Sequence, residues 1–361
     1  WRQQAPRMPL RLLAACAAVL AAGRGAALLE GPQRVELHVH LDGSVDLEEL
    51  LGICRARGIE LGGGVPKTPA DVKGFIERHP GWHRFDVVND MIGGDTATLR
   101  RVAEAFAGFQ ARSGVRYTEV RYDPVRLARS NFLNASISEE EAVRAVQEGL
   151  AAGAARYNIS LHQILCAMRG KSEARCLETA KLAARLRDGR AGGVVGLDLA
   201  GDESDFGNRQ YVGCMKYAKR VLGLNTTVHS GEFNDTPAEE VRIAVEEMEA
   251  DRVGHGYAAA ADAAVMRLLR ERCVHVEACP KSALRHGPWA FAALGKYWAE
   301  RLNYGLNTDD PASFMANTSM AADEDLVRQR LGFQSSDVRR AYEAAYAARF
   351  APRAAPGSAA A

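Results

Sequence analysis

Two histidines separated by one residue, His38 and His40, close a short apolar run near the start of the chain. Alternate side chains of an extended strand share a face, so both imidazoles project the same way, about 6.5–7 Å apart along it. Neutral imidazoles so placed can converge on one ion, and zinc accepts nitrogen at about 2.0–2.1 Å; two ordinary core histidines are the alternative reading of the pair. Other groups able to ligate a metal or move a proton lie far along the chain: His229, Glu232, His255 and the adjacent Asp309 and Asp310. No Cys-x-x-Cys pair occurs, which excludes a thiolate zinc ribbon.

The pattern between these residues decides whether they can meet. From about residue 34, short apolar runs alternate with longer amphipathic stretches, the mark of βα units around a parallel sheet. Strands are expected at 35–38, 116–121, 161–167, 194–199, 226–229, 252–254, 274–278 and 304–306. Helices are expected at 98–112, 139–155, 172–186, 210–222, 237–249, 260–272 and 337–349. Eight βα units make an α/β fold of the (β/α)8 TIM-barrel type, whose active site is built where the strands reach their C-terminal ends. The polar residues fall there. His38 and His40 close the first strand, Gly201 follows the fourth, His229 ends the fifth, His255 follows the sixth, and Asp309 and Asp310 follow the eighth. The long connection over 47–96 should carry extra helices over the barrel mouth, with Val72 and Phe75 as candidate lid residues.

A chain of 361 residues accommodates one large barrel or two ordinary domains. With 47% hydrophobic and 25% charged residues it can bury a sizeable core and is neither disordered nor membrane-embedded in its bulk. A net charge of +1 gives no general attraction to nucleic acid, which leaves a small molecule as the default partner. Ahead of the barrel, Met8 and Arg11 precede an apolar run at 12–22 and small residues at 23–27, a pattern that reads as a secretory signal. The run is too short for a membrane span; a disordered leader or transit peptide, and with it a cytoplasmic location, is the alternative. The organisation expected is a leader over 1–30, a single domain over 31–352 and a disordered tail over 353–361. Glycosylation sequons at Asn134, Asn158, Asn225, Asn234 and Asn317 permit secretion. The cysteines are not placed like a disulfide framework, and Cys166 and Cys279 read as small core residues.

Seven segments resemble the successive motifs of the adenosine deaminase family. They are His38-Val39-His40-Leu41-Asp42-Gly43, Leu165-Cys166-Ala167-Met168-Arg169, Leu197-Asp198-Leu199-Ala200-Gly201-Asp202-Glu203, Thr227-Val228-His229-Ser230-Gly231-Glu232, Arg252-Val253-Gly254-His255-Gly256-Tyr257, Glu277-Ala278-Cys279-Pro280 and Leu306-Asn307-Thr308-Asp309-Asp310-Pro311. They occur in the family's order and span about residues 35–350.

The resemblance implies a hydrolase that replaces the 6-amino group of adenosine, and of 2′-deoxyadenosine, with oxygen. It implies one zinc ion held by His38, His40, His229 and Asp309, which makes hydroxide available near neutral pH to attack C6. In the reaction Glu232 protonates N1, His255 acts beside the hydroxide as base or electrostatic stabiliser, and Asp310 orients the hydroxide and accepts a hydrogen bond from N7 when that nitrogen is protonated. Substrate contacts fall to His40, to Asp42 at the ribose hydroxyls, to Met168, to the backbone N–H of Gly201 at N3, and to Asp310. For Glu232 to hold a proton at neutral pH its pKa has to be raised, as burial beside an apolar purine pocket would do.

The chain departs from the family pattern at Ser230, often alanine, at Ala258, often histidine, and at Lys281, often tryptophan. Glu119, Arg121, Asp198 and Glu277, charged residues within strands, read as a mutually satisfied network beneath the site. His79, His83, His162, His275 and His286 match no ligand position and read as ordinary histidines. A two-metal amidohydrolase would want a bridging lysine at the fourth strand, which Leu197-Asp198-Leu199-Ala200 does not supply. The signature of the cytidine-type zinc deaminases is missing. Competing expectations are an adenine or adenine-nucleotide deaminase, and a secreted binding or growth-factor-like protein that keeps the barrel without using it.

Overall fold

A computed structural model describes residues 33–351; the expected leader and tail lie outside them. Eight strands, β1 (Arg34–His40), β2 (Val115–Tyr122), β3 (Ser160–Met168), β4 (Val194–Ala200), β5 (Asn225–Ser230), β6 (Arg252–His255), β7 (His275–Ala278) and β8 (Tyr304–Leu306), pair in chain order, all parallel. The ring closes just past β8, where His40 N donates to Asp309 O at 2.9 Å and Asp309 N donates to His38 O at 3.1 Å. The seam of the barrel therefore sets three of the expected ligands side by side.

Most expected helices form, for reasons visible locally. Glu139–Tyr157 opens with a reciprocal capping box between Ser138 and Glu141 and ends at Asn158 in the left-handed conformation. Thr96–Arg112 is capped by Asp95. The two pack closely because Gly149 lets the backbone at Arg100 approach; a Cβ there would overlap Arg100 O. The connection over 47–96 carries Leu47–Arg57, Pro69–Glu77 and His83–Ile92.

Some elements differ from expectation. The stretch 237–249 is a short α-helix, Ala238–Arg242, followed by a wider π turn over Ile243–Glu247. Pro280–His286 and Pro288–Ala299 are helices the sequence reading leaves out, as is Met320–Leu331. The first two begin at prolines, which read as breaks yet fit the first helical turn, where no N–H is needed. Cys176 and Cys214 form a disulfide that joins Glu173–Arg185 to Val212–Arg220, although the cysteine positions read as unlike a disulfide framework. The partners lie on consecutive barrel helices that pack together, a juxtaposition invisible in their spacing. Cys166 and Cys279 are buried free thiols, as expected. No helix among the described residues is long and apolar enough to cross a membrane.

Candidate active site

His38, His40, His229 and Asp309 each offer one ligand atom, and these atoms all lie within 4.8 Å of one another. His40 Nε2 is 3.2 Å from His229 Nε2, and Asp309 Oδ1 is 3.2 Å from His38 Nε2 and 3.5 Å from His40 Nε2. Three imidazole nitrogens and one carboxylate oxygen brought this close are ligand types that zinc accepts, so the donor set fits zinc.

The protons are placed to match. His38 Nδ1 donates to Glu277 Oε2 at 2.7 Å, and His229 Nδ1 donates to Asp198 Oδ2 at 3.0 Å. Each carboxylate fixes its imidazole with the proton on Nδ1, which turns the Nε2 lone pair toward the cluster. Cys279, grouped by distance with His38, His255 and Asp309, is a poor competitor as a ligand: burial first, then Asp309, pushes its thiol well above its ordinary range, and Sγ donates to Glu277 O.

The supporting carboxylates are held from across the barrel. Arg121, wholly buried, contacts Asp198 at 2.9 Å and Glu277 at 2.8 Å. Arg252 contacts Glu119 and Glu277, each at 2.7 Å. Because β2, β4 and β7 are not neighbours, these contacts span the interior as a layer just beneath the mouth. The expected network is thus present, with Arg252 added. Taking one partner from such a buried cluster costs about 3–5 kcal/mol, because a charge is left uncompensated.

Glu232, His255 and Asp310 are buried and line one pocket of about 390 Å³ with His40, Asp42, Met168, Gly201, His229 and Asp309. Every residue expected to hold metal, bind substrate or act in the reaction is on its wall except the buried His38. Asp42 accepts from Asn89 Nδ2 at 2.6 Å, and Gly201 has φ of +99°, a conformation open to glycine. Gly43 has a different task, since a Cβ there would overlap Asp310 Oδ1. His255 and Asp309 hold φ of +63° and +66°. Such geometry in residues other than glycine costs of order 1–3 kcal/mol each and gathers at functional sites. The Nδ1 of His255 lies 3.2 Å from Tyr257 Oη, which donates to Cys279 O, while His255 Nε2 has no hydrogen-bond partner among the described residues. Burial holds this imidazole neutral, lowering its pKa to about 3, so Nε2 offers a lone pair.

The turn that presents Glu232 rests on a residue the sequence reading quoted but did not single out. Glu203 accepts from Ser230 Oγ at 2.9 Å, Gly231 N at 2.9 Å and Glu232 N at 3.2 Å. Ser230 also accepts from Asn208 Nδ2 at 2.9 Å, which gives this departure from the family pattern a structural reason.

Two site expectations are corrected. Val72 is a core residue and Phe75 packs against His79 and Phe132 away from the pocket; Trp82, Phe85 and Phe233 line it instead. Helix Pro69–Glu77 turns its apolar side inward, and the loop and helix after it supply the rim. The carboxyl of Glu232 is lowered, not raised. Burial pushes it up, but the hydrogen bond and charge of His286, 3.1 Å away, help bring it below the usual carboxylate range. His286, expected to be an ordinary histidine, lines the pocket.

Fold and donor cluster together define a (β/α)8 barrel with a candidate metal site at its C-terminal mouth. Comparison with known proteins agrees. The model of the family Adenosine deaminase matches residues 33–356. The chain is 33% identical to adenosine deaminase from Bos taurus over 322 residues, covering 85% of this chain and 86% of that protein. It is 32% identical to adenosine deaminase from Mus musculus, covering 85% and 89%. Three solved structures share the fold. An adenine deaminase from Arthrobacter aurescens has a TM-score of 0.76 at 21% identity, covering 90% of this chain and 95% of that one. An amidohydrolase from Burkholderia ambifaria with bound Zn has a TM-score of 0.77 at 22% identity, covering 92% and 91%. The Arabidopsis N6-mAMP deaminase has a TM-score of 0.73 at 24% identity, covering 89% and 94%. The chain belongs to the adenosine deaminase family, whose members are metal-dependent deaminating hydrolases.

Proposed function

We propose that this protein is a zinc-dependent adenosine deaminase that converts adenosine or 2′-deoxyadenosine and water to the inosine product and ammonia. The observation that carries the reading is the meeting of His38, His40, His229 and Asp309 within 4.8 Å at the wall of a pocket also lined by Glu232, His255, Asp310, Asp42 and Gly201. One zinc ion held by the four ligands would supply Lewis acidity and make hydroxide available near neutral pH.

The remaining chemistry belongs to the chain. His255 Nε2, unpartnered and neutral, receives the proton of the attacking water. Glu232 protonates N1, so negative charge does not build on the ring as the C6–N bond is attacked. Burial first, then Asp309, pushes Asp310 well above the carboxylate range, which suits a group sharing a hydrogen bond with N7. Asp42, fixed by Asn89, accepts ribose hydroxyls, the Gly201 N–H meets N3, and Met168 packs on the nucleoside.

A second reading, an adenine-nucleotide deaminase, is favoured by Arg84, Arg126 and Arg285 on the same pocket wall. Arg126 already pairs with Asp86 and lies 3.7 Å from Asp123, and Arg84 Nε donates to His79 O, so two of these cations are engaged. Together with the nearby Asp42 carboxylate, this favours a neutral nucleoside. The Cys176–Cys214 disulfide supports secretion, since disulfides persist in oxidising compartments.

An ultraviolet assay with adenosine, 2′-deoxyadenosine, adenine and AMP at equal concentrations tests the substrate. The two nucleosides are expected to convert with AMP and adenine far behind. Faster conversion of AMP than of adenosine would overturn the assignment.

A further inference from the structure

His286 ends the helix Pro280–His286, and its Nε2 lies 3.1 Å from Glu232 Oε1. The side chain of Glu232 is 9% exposed and that of His255 1%, whereas His286 is 21% exposed. Of the two imidazoles near this carboxyl, His286 is therefore the one with access to water. Its ring is held edge-on to Phe233 at 5.2 Å and tilted against Tyr257 at 6.2 Å, and its carbonyl accepts from Trp289 Nε1 at 3.0 Å.

The charges around it favour a cation. Glu232 faces it from the turn after β5 and Asp309 adds a second negative charge from the seam after β8; the neutral His255 and the Tyr257 hydroxyl lie at the end of β6, and Arg285, adjoining it on its own helix, opposes the cation without outweighing the carboxylates. The unpaired carbonyls at a helix C-terminus also stabilise a positive charge. Burial lowers the His286 pKa, but the hydrogen bond and charge of Glu232 outweigh it and leave the value raised.

We propose that His286 is a positioning residue that stores the proton Glu232 must deliver, as an imidazolium–carboxylate pair from which the proton crosses the Nε2–Oε1 contact when the purine ring is protonated. The inference rests on the deaminase reading above. It resolves a conflict in that reading: an ionised Glu232 has no proton to give, whereas the pair has one. In the step the N–H bond at His286 breaks as its proton passes to Glu232, the new O–H bond breaks in turn as the same proton passes to N1, and a neutral imidazole and an ionised Glu232 remain. His286 regains its proton from water at the pocket mouth.

Two measurements test this. Nitrogen-15 histidine NMR of the full chain, with the His286 signal assigned by its absence in His286→Gln, is expected to give a titration midpoint above 6.5 that falls by at least about one unit in Glu232→Gln, the one-unit fall being about 1.4 kcal/mol of lost interaction. A midpoint indifferent to Glu232 overturns the proposal. With adenosine, His286→Gln is expected to lose about 10²-fold in kcat, with KM within about twofold and zinc content unchanged. The fall of wild-type kcat above the raised His286 pKa should also disappear. A wild-type kcat and pH profile, or a change in KM alone, overturns it. If the wild-type protein converts no purine, the deaminase reading fails and the proposal with it; if it converts adenosine but His286→Gln does so equally well, the proposal alone fails.

Discussion

His229 Nδ1 lies 3.0 Å from Asp198 Oδ2, and the same carboxylate meets Arg121 at 2.9 Å, so an imidazole at the mouth is oriented by an arginine three strands away. Arg121 and His229 together hold Asp198 ionised against the cost of its burial. Asp198→Asn keeps the shape but loses the charge that favours a proton on Nδ1. Zinc affinity, measured by chelator competition, is expected to fall about 10–100-fold. An unchanged affinity would mean that Asp198 only balances Arg121.

Gly43 is required by the packing of Asp310. In Gly43→Ala the new methyl overlaps Asp310 Oδ1, and the carboxyl or the backbone after β1 has to move. Overpacking of this kind costs about 1–3 kcal/mol. Thermal unfolding should show that loss, and adenosine turnover should drop sharply while zinc content holds. Wild-type turnover would remove Asp310 from the reaction.

Stability should fall with pH through Asp323. Burial pushes this carboxyl up to about 7, against hydrogen bonds from Thr318 Oγ1 and Lys281 N. Because the folded pKa exceeds the unfolded one, the folded chain binds more protons between pH of about 4 and 7, and stability is lost as pH rises through that window. Denaturant unfolding of wild type and Asp323→Asn at pH 5 and pH 8 checks it. The variant is expected to gain on wild type at the higher pH; a constant difference would contradict the assignment.

The Cys176–Cys214 bond closes a segment with a sequence separation of 38. Loop-closure entropy for that length predicts that replacing both cysteines with serine costs about 4 kcal/mol of stability. The bond lies on outer helices, so deaminase turnover at low temperature should be unchanged. A stability change under about 1 kcal/mol would show that the unfolded chain is already restrained.

The barrel was legible because strand and helix periodicities alternate through the chain, and the ligand site because His38-Val39-His40, His229 and Asp309 each end or follow a strand. What escaped was set by tertiary packing. His286 sits on a helix that opens at a proline, so nothing local aims it at Glu232. The lowered carboxyl of Glu232 follows from the His286 imidazole brought up by a distant helix, whereas sequence alone suggests only burial. The left-handed backbone at His255 and Asp309 likewise carries no mark in residue type, since glycine occupies neither position.

The central claim is that one metal ion joins β1, β5 and the seam after β8. The most direct measurement is elemental analysis of purified protein before and after chelation and zinc restoration. The account predicts about one zinc per chain, lost on chelation and regained, with His38→Ala failing to hold it. A protein that carries no metal and takes up none when offered zinc would contradict it.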